Sequence, residues 1–493
     1  MNALMDWLDT RTGFRGMQRA LLDREVPERL TWWHTLGSAT LAVFLVQVVT
    51  GIVLATSYSP SPEHAYNSIE YIQQHVAGGA LLRGIHHWAA SAMVILILAH
   101  MIRVFSMGAY KYPREANWLL GVVLLILVLG FSFTGYLLPW DQKAYWATAV
   151  GTSIAGTTPV IGSALVAILR GGGELGAATL SRFYAFHVLL LPALLGIVVL
   201  LHLALVIKQG IAPRPRALED KAPARTDDPA YPDYYREAYA ATKHTGTRFY
   251  PDIIGKDVIV ATLVVLAIVL LAYLRGAPLE PPANPTDTSY VPMPEWYFLP
   301  LYQMLKLVPG SLESVVAVGI PGVLFITLIA LPLFDRRSTR NLMHRPVAMG
   351  SLVVILGGAG LLLGSALREA GANAVAPEVG RPLSSVERAG RALYQSQKCN
   401  DCHMIAGVGS DKGPDLSEEG LHHSTAWLHS YIEAPTRFRS DTTEMPTFGP
   451  PNLSHQEIEE LAQYVSSLRG EAGLNRPPEY HDTFPSVPLR SGE

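Results

Sequence analysis

The sequence predicts an all-α protein: a seven-helix transmembrane bundle followed by a small soluble all-α domain. Three observations carry that prediction. Only 16% of the 493 residues are charged and 49% are hydrophobic, against about 25% charged in an average globular chain. Apolar stretches of roughly 20 residues, the length a helix needs to cross a bilayer, recur along the first three quarters of the chain. A segment at 367–385, rich in Gly, Ala, Pro and Ser, then separates the apolar part from a polar final part.

The spans fall near 34–57, 84–107, 118–138, 183–208, 257–274, 313–334 and 347–366. Residues 1–22 lack a long apolar core, which predicts an interfacial amphipathic helix and no cleavable signal peptide. Basic residues gather at the N-terminus, after the second span (Arg103, Lys111, Arg114), in the 208–256 loop and after the sixth span (Arg336, Arg337, Arg340, Arg345). The loops at 58–83, 139–182 and 275–312 hold few. The positive-inside rule therefore places the N-terminus in the cytoplasm, and seven crossings place the C-terminal domain outside.

The chain divides into blocks. Residues 1–210 hold four spans. Residues 211–366 hold three more, entered through a loop punctuated by Pro213, Pro215, Pro223, Pro229 and Pro232. Residues 367–385 form a linker, 386–475 a soluble domain, and 476–493 a Pro-rich irregular tail. The soluble domain opens with a helix (ERAGRALYQSQ) and closes with an amphipathic one (LSHQEIEELAQYVSSLR), whose Ser454 and Glu457 are spaced as a capping box.

The chain has two cysteines, Cys399 and Cys402, and His403 follows at once. A Cys-x-x-Cys-His run reads as covalent attachment of a c-type haem, with both thiols on the vinyl groups and His403 as proximal iron ligand. The competing reading is a redox pair or a structural disulfide. Attachment of such a haem takes place on the external face, where the loop charges place this end.

Four histidines lie inside apolar spans: His86 and His100 in the second, His187 and His202 in the fourth. Imidazole within a span is costly and marks function. A step of 14 returns to within about 40° of its starting face, and a step of 15 overshoots by about 60°, so each pair holds roughly one face over about 21–22 Å of rise. Two such helices can clamp two b-type haems, one near each membrane surface, which makes residues 1–210 a four-helix di-haem core. His87 is the local rival of His86, but its 13-residue step to His100 lands about 140° away. Gly37 and Gly51 in the first span, and Gly121 and Gly135 in the third, repeat the 14-residue period. Glycine lets a backbone approach a porphyrin edge; close helix packing is the alternative. Arg83 and Arg103 flank the second-span pair. They suit either haem propionates or interfacial snorkelling.

Taken in order, these residues resemble cytochrome b of the cytochrome bc/b6f quinol-oxidising complexes over about 1–366. The haem-ligand spacing is closer to the b6f branch than to the mitochondrial one. Leu138-Pro139-Trp140-Asp141-Gln142 and Pro294-Glu295-Trp296-Tyr297 match family runs, the second at the quinol-oxidation site. The block equivalent to 211–366, a separate subunit in the b6f branch, is fused here. The resemblance implies that His86 and His187 hold the external-side haem, His100 and His202 the cytoplasmic-side haem, and that Arg83 and Arg103 bind propionates. Thr35 stands where the b6f branch carries a haem-tethering cysteine, and Ile207 where it carries a basic residue. The expectation is therefore two non-covalent b haems and no covalent third. Residues 386–475 resemble a monohaem cytochrome c domain, which implies Met445, before Pro446, as the second axial ligand, a choice that raises reduction potential.

The implied function is the cytochrome b/c fusion subunit of a quinol–cytochrome c reductase. Glu295 accepts a proton from quinol, Tyr297 positions the quinol head, and Tyr136 is a weaker candidate for that role. Electrons bifurcate between a Rieske iron–sulfur protein and the two b haems. A second quinone is reduced near the cytoplasmic face, and protons are translocated. Both cysteines belong to the c-haem motif, so the cluster must come from a partner. Further expectations are a homodimer within a larger complex, membrane lipid around it, a soluble cytochrome c or terminal oxidase as acceptor, no nucleic-acid partner, and a bacterial cytoplasmic membrane. Two rival readings are a di-haem b anchor passing electrons between a dehydrogenase and quinone, and a haem sensor or structural anchor. The Pro-Glu-Trp-Tyr run argues against the anchor.

Overall fold

The structure, a computed structural model, describes residues 2–28, 30–219, 221–244, 246–286, 290, 293–309, 312–372, 383–406, 408–410, 412–438, 445–470 and 477–484. Among these, seven helices are long and apolar enough to cross a membrane: Trp32–Ala55, Gly79–Ser106, Glu115–Tyr136, Ala177–Gln209, Phe249–Arg275, Val315–Phe334 and Pro346–Glu369, the first to seventh spans below. Each overlaps a span expected from the sequence. The ends extend furthest at the fourth and fifth, where polar first turns continue a helix whose apolar run starts later. The described β-structure comprises two pairs of two-residue strands, Glu25–Val26 with Thr247–Arg248 and Met404–Ile405 with Val408–Gly409.

The chain forms two compact units, Met1–Gly360 and Leu361–Glu493. In the first, the first span packs along the second, the fourth along the third, and the fifth against the first and second. Val43, Ala89, Val94, Val122, Leu195 and Ile268 form part of their common core. Outward-facing Leu263, Leu266 and Leu270 of the fifth span stay exposed, as lipid-facing positions do, because helices satisfy their own backbone groups in hydrocarbon.

Residues 2–22 form two helices, Asn2–Thr12 and Phe14–Leu22, broken at Gly13, whose φ is 66°. The loops after the first and third spans also hold helices that hydropathy did not reveal: Ala65–Gln74, Gln142–Gly156 and Gly162–Arg170. The middle one starts where Asp141, from the Leu-Pro-Trp-Asp-Gln run, accepts the Ala144 amide at 2.8 Å as an N-cap.

Several of the loop cations are buried. Lys111, Arg340 and Arg345 lie between spans, as the sequence indicates, and are only 2%, 1% and 7% exposed. Asp335 accepts hydrogen bonds from Lys111 Nζ (2.8 Å), Arg345 Nη2 (2.9 Å) and the Tyr110 hydroxyl. Lys111 also donates to the carbonyls of Arg337 and Thr339, and Arg340 to those of Gly108 and Tyr112. Burial is tolerated because backbone carbonyls replace water around each cation. Burial still pushes the Lys111 ammonium down to about 8. Burial alone would raise the Asp335 carboxyl, but hydrogen bonds from Lys111 and Tyr110, with the charges of Lys111 and Arg345, hold it below its ordinary value.

In the second unit, the helices Ser385–Ser396 and His455–Ser466 pack together. Both start with capping boxes: Ser454 with Glu457, as the sequence indicates, and Ser384 with Glu387, which it did not reveal. Within the linker, 373–382 lie outside the described residues. The part of the tail at 477–484 is irregular but docked. The Glu479 and His481 amides donate to the Leu421 and His422 carbonyls, and Asp482 accepts from Ser424.

Candidate functional site

The four span histidines each face one of the four glycines. A Cβ at Gly51 would stand 3.2 Å from His86 Cε1, at Gly135 2.5 Å from His187 Cε1, at Gly37 3.1 Å from His100 Cε1, and at Gly121 4.0 Å from His202 Cε1. The first span thus makes room for both second-span histidines, and the third for both fourth-span histidines.

His86 and His187 lie across from each other, with ring centroids 6.3 Å apart and planes at 74°. Metal–nitrogen bonds of about 2 Å each fit one metal atom between such rings. Thr50 and Thr134 orient them. The Thr50 hydroxyl donates to the Val46 carbonyl, and its oxygen lies 2.8 Å from His86 Nδ1. The Thr134 hydroxyl donates to Gly130 and lies 3.2 Å from His187 Nδ1. Each oxygen suits a proton on Nδ1, which leaves Nε2 as the free base that binds iron. Sequence reasoning missed both threonines, although the Thr-Gly dipeptides at 50–51 and 134–135 mark them.

The 15-residue step from His187 to His202 also has a structural reason. His187 sits in a π-helical turn, Phe186–Leu190, inside the fourth span. Such a turn absorbs one extra residue and is frequent at functional sites. Pro192, which cannot donate to the carbonyl four residues earlier, follows directly. The turn offsets the overshoot expected of a regular helix.

At the other level, Arg103 keeps Nε and Nη2 buried without hydrogen-bond partners, and His100 Nδ1 is likewise unpartnered. An orphaned guanidinium beside a haem-ligand position fits a propionate. Arg83 differs. Its Nη1 donates to Gln73 Oε1 (2.5 Å) and the Ala277 carbonyl (2.8 Å), and its Nη2 to the Pro278 carbonyl (2.7 Å). It joins the second span to the segment after the fifth and keeps two N–H donors for other use. The histidine pairs, the glycine gaps and Arg103 together fit two bis-histidine haems.

Glu295 and Tyr297 line the same cavity of about 450 Å³ as His86 and His187. Tyr136, Asp141, Lys143 and His87 also line it. His87, rejected as an iron ligand by its spacing, points into this cavity edge-on to Trp88. Glu295 has a partner that the sequence did not reveal: Lys143 Nζ lies 3.0 Å from Oε1. The structure thus places an ammonium beside this carboxylate. Burial, and then the nearby Glu295 carboxylate, raise the Tyr297 phenol well above its ordinary value. The Tyr136 hydroxyl donates to the Met293 carbonyl at 3.4 Å.

The loop before Glu295 is held by the Leu-Pro-Trp-Asp-Gln run. Asp141 accepts the Glu280 amide (3.1 Å), the Gln142 amide donates to the Pro281 carbonyl (2.9 Å), and the Ala283 amide donates to the Trp140 carbonyl (3.1 Å). The run thus ties down residues 280–284, upstream of Glu295. Burial pushes the Asp141 carboxyl up, against the two amides that it accepts.

In the second unit, Cys399 opens a short helical turn, Cys399–Asp401, and the His403 amide donates to the Cys399 carbonyl at 2.9 Å. Both thiols are free of disulfide. His403 Nδ1 lies 2.9 Å from the Pro414 carbonyl, which leaves Nε2 for iron. A Cβ at Gly413 would stand 2.9 Å from His403 Cε1, a close approach that the sequence did not signal. Met445 is half-buried and packs with Cys399 on the domain core.

The chain is similar to known cytochrome b and cytochrome c proteins. Residues 21–210 match the family described as cytochrome b/b6/petB, 282–375 the C-terminal part of cytochrome b/b6/petD, and 387–469 cytochrome c. The menaquinol:cytochrome c reductase cytochrome b subunit of Bacillus subtilis is 43% identical over 220 residues, 43% of this chain and 98% of that protein. Cytochrome b6 of Synechococcus elongatus is 40% identical over 212 residues, 43% of this chain and 99% of that protein. A solved chain of a hyperthermophilic respiratory Complex III superposes with a TM-score of 0.63 at 26% identity, covering 80% of this chain and 95% of that one.

Proposed function

The chain belongs to the cytochrome b/b6 family and carries a cytochrome c domain at its C-terminal end, and from that premise we propose that it is the b/c fusion subunit of a quinol–cytochrome c reductase. It is a multi-pass, haem-binding subunit of a bc-type complex. The observation that carries the finer reading is the shared cavity: a carboxylate and a candidate iron-binding histidine pair line one space. Quinol releases protons with its electrons, so its oxidation needs a base and an electron acceptor side by side.

His86 with His187, and His100 with His202, would hold two b haems, and Cys399, Cys402 and His403, with Met445 opposite, one c haem. Bound haem iron supplies reversible one-electron transfer. Glu295 accepts a quinol proton, Tyr297 shapes the head-group pocket, Asp141 and Gln142 fix the loop, and Arg103 binds a propionate. The basic loops favour a cytoplasmic N-terminus, with Glu295 and the cytochrome c domain outside. No cysteine remains for an iron–sulfur cluster, so bifurcation and proton translocation require a Rieske-type partner. A homodimer follows from the family reading.

The test is quinol-driven reduction of a soluble cytochrome c by the purified complex, together with a pyridine haemochrome assay. The expected result is quinol-dependent turnover and two b haems per c haem. A single b haem, or no quinol-dependent reduction, would overturn the proposal.

A further inference from the structure

Lys143 and Glu295 come from distant parts of the chain. Lys143 is the second residue of the helix Gln142–Gly156, two positions after the Asp141 cap. Glu295 lies in the loop that Asp141 and Gln142 hold. Their side chains meet at 3.0 Å and are 27% and 18% exposed. Both line the cavity that contains His86 and His187. Lys143 Nζ also stands 5.6 Å from the Tyr136 ring centroid, so the third span limits its position.

The contact uses only one oxygen of the carboxylate. Among the described residues, Glu295 Oε1 accepts from Lys143 and Oε2 takes part in no hydrogen bond. The Lys143 contact restrains the carboxylate through Oε1 while the residue lines the cavity. His87 from the second span, Tyr136 from the third, and Asp141 and Tyr297 from the loops are the other titratable groups electrostatically linked to the pair.

We propose that Lys143 is a positioning residue for quinol oxidation: its contact with Oε1 fixes the Glu295 side chain in the cavity and leaves Oε2 to meet the quinol hydroxyl. This rests on the quinol-oxidation reading above and deepens it. In the step, the quinol O–H bond breaks and an Oε2–H bond forms. Two electrons leave the quinol, one for the iron–sulfur partner and one for the one-electron acceptor that His86 and His187 would hold. The second proton leaves with the iron–sulfur partner. Lys143 keeps its own protons throughout.

The test compares the wild-type complex with Lys143→Met, Lys143→Gln and Lys143→Arg, measuring kcat and KM for quinol-driven cytochrome c reduction, and the b-haem spectrum. Wild-type turnover is recorded first; its absence would refute the quinol-oxidation reading itself. Both neutral variants should keep the b-haem spectrum and lose at least fivefold in turnover at neutral pH. The loss should fall on kcat, with KM for quinol within about threefold of wild type. Lys143→Arg should restore most turnover. Neutral variants with wild-type turnover, a loss confined to KM, or an arginine variant as impaired as the neutral ones would overturn the role of Lys143. If Lys143→Met fails to assemble, the Gln and Arg pair decides by the same criteria.

Discussion

Gly135 stands against His187 so closely that a Cβ at 135 would lie 2.5 Å from Cε1, 3.0 Å from Nδ1 and 3.1 Å from Nε2. A side chain at 135 would therefore force the His187 ring or one of the two helices to shift. The glycine therefore fixes where an imidazole can lie, beyond the room that it gives a porphyrin.

The first prediction is a graded series. Gly135→Ala should displace His187 and lower the ratio from two b haems per c haem toward one. Gly37→Ala and Gly51→Ala, at 3.1 and 3.2 Å, should weaken haem retention less. Gly121→Ala, at 4.0 Å from His202, should be tolerated. Haemochrome ratios of the four purified variants check the order. Equal retention in all four would show that the glycines serve general helix packing.

The series also marks what the sequence could disclose. Helical spacing is local, so the histidine and glycine periods were legible from residue numbers. The π-turn at 186–190 was not, because periodicity assumes a regular helix; Pro192 was its only trace. The Lys143–Glu295 pair spans 152 positions, and no local pattern reports such a contact. Lys111, Arg340 and Arg345 were visible as charge, but their burial depends on carbonyls brought together by the fold.

The second prediction concerns Asp335. Asp335→Asn leaves Lys111 and Arg345 as buried cations short of a counter-charge. Breaking a buried pair costs about 3–5 kcal/mol, and the 23% exposure of the Asp335 side chain places this case at the low end. The lowered carboxyl sets the pH sign. Its contribution is fully present above the unfolded value of about 4 and is lost as pH falls through the folded value below it. Thermal loss of the b-haem absorbance should therefore occur at lower temperature in the variant at pH 7, and the gap should narrow below about pH 4. A constant gap from pH 7 to 3 would contradict the ion-pair account.

The third prediction concerns the second axial position of the c haem. Met445→His replaces a thioether with an imidazole at a half-buried site on the domain core. Thioether ligation raises haem potential, and axial ligands span about 0.8 V overall. The variant should drop by roughly 0.2 V in a redox titration of the c-haem band and lose the sulfur-to-iron charge-transfer band. An unchanged potential and band would assign the axial role to another residue.

The fourth prediction separates proton acceptance from structure at Glu295. Glu295→Gln keeps the size of the side chain and an oxygen that can accept from Lys143, and it leaves the hydrogen bonds of the Phe298 and Leu299 amides to the residue 295 carbonyl untouched. The loop and both b haems should therefore persist. The amide cannot take a proton, and a positioned general base contributes about 10²–10⁴ to a rate. Quinol-driven turnover should fall by at least tenfold, with KM for quinol within about threefold of wild type, because the pocket formed by Tyr297 and its neighbours remains. The b-haem spectrum serves as the internal control. If turnover is unchanged while the spectrum stays native, the proton leaves quinol by another group and Glu295 is only part of the cavity wall. If KM rises steeply while kcat holds, the carboxylate binds the quinol head and does not take its proton.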